Sequence, residues 1–135
     1  MGKAIIYATG LTKHTKQLAD YMAKELKADI FNLKQMTKIN VTDYDTVIFG
    51  TGVSAGKAYK PVAEFLEANK DALAGKRLYL FIDCKVNADK EEALRDKIAE
   101  ELGIADAVSI NSKGCEMNEA EIPAIIYDTF TRLGL

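Results

Sequence analysis

The sequence predicts an α/β domain whose five strands form a doubly wound parallel sheet. Two observations favour this class: short apolar runs alternate along the chain with longer helical patterns, and nearly every residue of those runs is apolar. Strands of this kind are typical of a parallel sheet that is covered by helices on both faces. Right-handed crossovers then favour the strand order 2-1-3-4-5, with a switch point between the first and third strands.

The five predicted strands are short runs rich in β-branched and aromatic side chains, at residues 3–8, 29–33, 46–50, 77–83 and 107–110. Two of the residues in the second run, Asp29 and Asn32, are polar. Because an edge strand is covered on fewer sides than a central one, these residues place the second strand at an edge of the sheet.

Four helices are predicted from apolar residues at helical spacing, at residues 15–27, 61–73, around 94–102 and at 122–133. Pro61 suits the first position of the second helix. Gly103 is a residue type that ends a helix. Asn118 and Glu121 resemble a capping box before the last helix.

Composition and charge predict one cytoplasmic domain over residues 1–135. This length fits a single core, and a net charge of -2 argues against nucleic acid as a partner. No apolar run approaches the roughly 18 residues of a membrane span. Cys84 and Cys115 are far apart in the chain and are expected to be free thiols. A single histidine, His14, does not support a zinc site.

Ligands of such sheets bind beyond the carboxyl ends of the strands, where three loops are expected to meet. These are the first loop (residues 9–14), the second loop (51–59) and the third loop (84–88). The first loop runs into a helix start, whose free N–H groups, with nearby threonine hydroxyls, suit a phosphate. The phosphate-binding residues predicted here are Thr9, Gly10, Leu11, Thr12, Lys13, His14 and Thr15. The alternative is an ordinary helix cap formed by Thr12 or Thr15.

The second loop follows a buried strand and, counted from Gly50, has three glycines in seven residues. Glycine lets a backbone approach a ligand closely, so a flat ring is expected against this loop; the alternative is a tight turn. The residues predicted to border the ring are Thr51, Gly52, Val53, Ser54, Gly56 and Tyr59. The third loop supplies Cys84, Lys85, Val86 and Asn87, unless Asn87 or Asp89 simply caps the next helix.

Three segments of the chain resemble the flavodoxin-domain family, in the short branch similar to the flavodoxin-like protoporphyrinogen oxidases. These segments are residues 4–8 with 15–19, residues 43–50, and residues 54–57. The resemblance implies a flavodoxin-like fold and FMN as cofactor, with one- or two-electron chemistry at the flavin. Ser54 stands where the family usually has an aromatic residue, so contact with the ring is expected from Tyr59 or from aliphatic side chains.

The first functional hypothesis is an FMN-binding electron-transfer protein that serves redox partner proteins. The second is a flavin-dependent oxidoreductase of the protoporphyrinogen oxidase type, and the third is a flavin-free binding or regulatory module on the same fold. A phosphorylated receiver domain is disfavoured because the first and third strands end in Ala8-Thr9 and Gly50-Thr51 instead of clustered acids. The G-x-G-x-x-G fingerprint of dinucleotide-binding domains is absent after the first strand.

Overall fold

The fold is given by a computed structural model, which describes residues 2–9, 14–36, 38–113 and 121–135. Its strands are β1 (Gly2–Ala8), β2 (Asp29–Asn32), β3 (Tyr44–Thr51), β4 (Val53–Ser54), β5 (Lys57–Ala58), β6 (Arg77–Cys84) and β7 (Asp106–Asn111). Its helices are α1 (His14–Leu26), α2 (Lys60–Ala68), α3 (Lys70–Leu73), α4 (Ala88–Leu102) and α5 (Ile122–Leu133).

Five of the strands form one parallel sheet in the order β2-β1-β3-β6-β7. In the chain order of these five strands this is 2-1-3-4-5, so the predicted topology is confirmed. The strand that carries Asp29 and Asn32 lies at the edge, as its polar residues indicated. β4 and β5 form a separate antiparallel hairpin inside the second loop.

Helices cover both faces of the sheet and create two cores. Because successive side chains of a strand point to opposite faces, Ile5 of β1 packs in the core under α1 and α5, whereas Ile6 packs in the core under α2 and α4. The same alternation in β6 sends Phe81 to the α1 face and Leu80 to the α2 face. Both cores are needed to bury the apolar strands, which is why the fold is doubly wound.

The second helix is not continuous, which corrects the sequence-based prediction. It breaks at Asn69, whose backbone N–H and side-chain Nδ2 both donate to the carbonyl of Phe65, at 3.0 and 2.9 Å. Asparagine competes with the helical backbone for hydrogen bonds in this way, so α2 ends and α3 begins at this residue.

Before the last helix, Asn118 of the predicted capping box lies outside the described residues. Glu121 occupies the N-cap position of α5 and makes no side-chain capping hydrogen bond. Within the part of the chain that is described, none of the helices combines the length and the apolar character needed to cross a bilayer.

Three helices, α1, α4 and α5, are each followed by a residue in the left-handed conformation. This residue is glycine after α4 and α5 but not after α1. After α4 and α5, Gly103 and Gly134 adopt left-handed φ values of 71° and 77°. After α1 the left-handed residue is Lys27, with φ 54°. The N–H of Ala28 donates to the carbonyl of Ala23 at 2.9 Å, which is the long-range bond of a Schellman motif.

We predict that Lys27→Gly stabilises the protein by about 1 kcal/mol, because a side chain in the left-handed region costs about that amount. The reciprocal change Gly103→Lys is expected to destabilise it by a similar amount, since an added Cβ at Gly103 meets no atom within 4 Å and only its φ is unfavourable. Urea denaturation of both variants measures the difference. An unchanged midpoint for both would show that these helix ends do not limit stability.

Candidate functional site

The three loops singled out from the sequence lie side by side at one edge of the sheet. The carboxyl ends of β1 and β3 are in register, with Ala8 opposite Thr51, and β6 pairs with β3 on its other side. The first loop follows β1, the second follows β3 and the third follows β6. Their convergence is therefore a direct consequence of the central position of β3.

A cavity of about 240 Å³ lies where these loops meet. Its lining residues come from all three loops and from the end of β6: His14, Val53, Tyr59, Asp83, Cys84, Lys85 and Val86. A larger groove of about 350 Å³ lies at the opposite edge, against Leu78 and Gly103, away from every predicted site residue.

Of the residues predicted to bind the phosphate, the structure describes Thr9, His14 and Thr15. Thr15 lies in the first turn of α1, is 1% exposed and donates from Oγ1 to Oδ2 of Asp83 at 3.1 Å. Its single hydroxyl proton is used in this bond, so an anion at the helix start would receive the backbone N–H groups of this turn rather than that proton. Gly10, Leu11, Thr12 and Lys13 lie outside the described residues.

His14, which lines the cavity, has a buried polar side-chain atom. Its Nδ1 is buried and has no hydrogen-bond partner among the described residues. Buried polar atoms are nearly always hydrogen-bonded in proteins, because leaving one without a partner costs free energy. A ligand in the cavity with a polar group near this nitrogen would remove that cost.

The second loop is organised around the hydroxyl of Thr51, which is fully buried. This hydroxyl donates to the carbonyl of Gly52 at 2.8 Å and accepts the backbone N–H of Tyr59 at 2.9 Å. It therefore joins the two ends of the loop. Between them, β4 and β5 are connected through Ala55 and Gly56, both with positive φ.

Gly52 is required because the ring of Tyr59 packs directly on it. A Cβ at this position would lie 2.5 Å from the Tyr59 hydroxyl oxygen and 2.6 Å from Cζ. Glycine thus allows the hydroxyl end of the Tyr59 ring to approach the backbone closely at the cavity wall. Ser54, which is exposed in β4, does not line the cavity.

The third loop is fixed to the neighbouring strand by Asn111, a residue that the sequence analysis did not identify. Its side-chain Nδ2 donates to the carbonyl of Val86 at 2.8 Å, and its Oδ1 accepts the N–H of Val86 at 3.2 Å. Glu91 accepts from Asn111 at 3.0 Å and also from the hydroxyl of Ser109. Asn87 stands at the N-cap of α4 without a capping bond, and its Oδ1 accepts from Lys113 Nζ.

Cys84 lines the cavity as a neutral thiol. Burial, followed by the negative charges of Glu91 and Asp83, raises its pKa to about 11. A thiol in this state is a poor nucleophile at neutral pH. Cys84 is free, and Cys115 lies outside the described residues.

Asp83 is the second site residue that the sequence analysis did not identify. It is 7% exposed, and burial raises the pKa of its carboxyl group, while the Thr15 hydrogen bond and the electrostatic interactions with His14 and Lys85 lower it. In the sequence, Asp83 could have been recognised as an acidic residue at the end of a mainly apolar predicted strand.

Within the described ranges, no cluster of three or more His, Cys, Asp or Glu side chains is able to bind a metal.

The predicted site residues therefore fall into three groups. Those that line the cavity are His14, Val53, Tyr59, Cys84, Lys85 and Val86. Those that lie outside its lining, in or beside the three loops, are Thr9, Thr15, Thr51, Gly52, Ser54, Gly56 and Asn87. The third group, residues 10–13, is not described.

Comparison with solved structures shows the same fold in several flavodoxins. Oxidised flavodoxin 1 of Bacillus cereus has a TM-score of 0.68 at 17% identity, over 99% of this chain and 97% of that one. A Fusobacterium nucleatum flavodoxin bound to flavin mononucleotide has a TM-score of 0.66 at 19% identity, over 98% and 96%. Rubredoxin oxygen:oxidoreductase from Desulfovibrio gigas matches with a TM-score of 0.68 at 15% identity, but the chain covers only 35% of it.

At the level of sequence, an uncharacterized protein of Methanocaldococcus jannaschii is 32% identical over 81 residues, which are 60% of this chain and 53% of that relative. The chain thus matches about half the length of this relative. The sequence profile of the family described as "Flavodoxin domain" matches residues 4–117. Since that match covers most of the chain, including all three loops, the protein belongs to the flavodoxin domain family.

Proposed function

We propose that this protein binds FMN at the carboxyl edge of its sheet and acts as an electron-transfer flavoprotein. The observation that carries the proposal is the cavity between the three loops, with the buried Nδ1 of His14 that lacks a partner among the described residues. In a flavodoxin-domain chain this is the expected place for a flavin. The bound flavin would supply the one- or two-electron chemistry.

The described residues fit the parts of FMN in different ways. The first turn of α1, around His14 and Thr15, offers N–H groups and the positive end of a helix dipole to the phosphate. Val53, Tyr59 and Val86 give apolar surface for a flat ring. The cavity volume of about 240 Å³ is smaller than the roughly 300–1,000 Å³ typical of pockets for small molecules. Part of the cofactor would therefore extend over the exposed third loop.

The protein's own contribution would be orientation and exclusion of water. The clamp of Asn111 on Val86 and the bond of Thr51 to Tyr59 hold the two walls of the cavity in place. Lys85, exposed in the third loop, provides a positive charge at the cavity mouth. Redox partner proteins in the cytoplasm would approach this edge, because electron transfer needs a short path to the flavin.

One observation favours the alternative of a flavin-free binding or regulatory module. The hydroxyl of Thr15, one of the residues predicted from the sequence to bind the phosphate, donates its proton to Asp83 instead. Titration with flavins separates the two functions, since the flavin-free module binds neither FMN nor riboflavin.

We predict that FMN binds more tightly than riboflavin at pH 6, by about tenfold or more. The physical reason is the phosphate, because one charge-assisted hydrogen bond contributes roughly 1.5–3 kcal/mol and each 1.4 kcal/mol is a factor of ten. Calorimetric titration of the apoprotein with both flavins measures the ratio. Equal affinities would show that the phosphate contributes no net binding free energy, and the assignment of the start of α1 to the phosphate would then be wrong.

We also predict that Gly52→Ala weakens FMN binding and lowers stability by about 1–3 kcal/mol, because the new Cβ displaces the Tyr59 ring from the cavity wall. Ser54→Ala, two residues further on at an exposed position, is the matched control and should leave both properties unchanged. The measurements are thermal melts and FMN titrations. Unchanged FMN affinity in a folded Gly52→Ala variant would contradict the assignment of Tyr59 to the flavin wall.

A further inference from the structure

The carboxylate of Asp83 lies beside the first turn of α1, the helix whose start is the proposed phosphate site. Period-two alternation along β6 puts its side chain on the α1 face, on the same side as Phe81. There it is 7% exposed and accepts the hydroxyl of Thr15, in the first turn of α1, at 3.1 Å. The start of this helix therefore already has a negative side chain beside it.

The negative charge of Asp83 is not neutralised by a close ion pair with a neighbouring residue. Among the described residues, His14 from α1 and Lys85 from the third loop attract the carboxylate, but neither forms a salt bridge with it within 4.0 Å. Cys84, its neighbour on β6, is a neutral thiol, and Glu91 of α4 is bonded to Ser109 and Asn111. Burial opposes the ionised form of Asp83 and raises its pKa.

A phosphate at the start of α1 would therefore meet a like charge in a poorly solvated place. A phosphate monoester carries between one and two negative charges near neutral pH, because its second pKa is about 6. Like charges repel more strongly in a protein interior than in water, so a doubly charged phosphate is repelled more than a singly charged one. Riboflavin has no phosphate and is not subject to this repulsion.

We propose, building on the function proposed above, that Asp83 is a specificity-determining residue of the cofactor site that disfavours the doubly charged phosphate of FMN. The site binds FMN best when either the carboxylate or the phosphate carries an additional proton. Asp83 thus limits the advantage of FMN over riboflavin as the pH rises.

The test compares wild type with Asp83→Asn, which keeps the shape and an oxygen acceptor for Thr15 but removes the charge. FMN and riboflavin are titrated at pH 5 and pH 8, following the flavin fluorescence. At pH 8 the variant is expected to bind FMN about tenfold or more tightly than wild type, with little change for riboflavin. At pH 5 the gain for FMN should be smaller, since the phosphate then carries close to one charge.

Asp106→Asn is the matched control, because it removes the same charge from an exposed residue at the amino end of β7. Its FMN affinity should equal that of wild type. Equal gains in both variants, an equal gain for riboflavin, or weaker FMN binding by a folded Asp83→Asn variant would overturn the proposal. FMN binding by Asp83→Asn but not by wild type would support the proposal.

The test also separates this inference from the proposed function. If both proteins bind FMN with equal affinity, the function stands and the role of Asp83 is wrong. If neither protein binds FMN or riboflavin at either pH, both proposals fail. Thermal melts without flavin check the fold: at pH 8 the variant should be at least as stable as wild type, because a buried carboxyl group with a raised pKa reduces stability as the pH rises through that pKa.

Discussion

Burial of both faces of a parallel sheet is the constraint from which the rest of this structure follows. Parallel strands must be joined by crossovers, and the crossovers place α1 and α5 on one face and α2 and α4 on the other. All five strands of this sheet then end at the same edge. The backbone there turns into helices whose starts face a common space, so a binding site is a by-product of the way the core is covered.

Two classes of residue build that site, and they act at different distances from the cavity. Tyr59 and Val86 form its walls, whereas Thr51 and Asn111 fix the backbone that carries those walls. Thr51 and Asn111 make, with their side chains, the kind of backbone hydrogen bond that a neighbouring strand makes in a sheet. The side-chain amide of Asn111, for example, pairs with both the N–H and the carbonyl of Val86. Loops tied in this way need no ligand to keep their shape, which reduces the entropy lost on binding.

At this edge of the sheet, opposing electrostatic interactions act on a bound anion. The start of α1 favours an anion, yet the buried acid Asp83 lies within hydrogen-bond distance of its first turn. The Thr15 bond and the electrostatic interactions with His14 and Lys85 partly offset the cost of burying it. In the proposed role, an acid in such a position would couple FMN binding to proton concentration, which a site formed only by neutral loops would not do.

The sequence by itself determined the strand order, the edge position of β2, the end of α4 at Gly103 and the three loops that surround the cavity. These features follow from local patterns, namely apolar alternation, polar edge residues and glycine at a helix end. Only the tertiary structure decided the roles of Asp83 and Asn111. Each of these depends on which groups meet across elements: Asp83 with Thr15 is a contact 68 residues apart, and Asn111 with Val86 one 25 residues apart. Local periodicity carries no information about such pairs, because they are set by register and by the packing of helix on sheet.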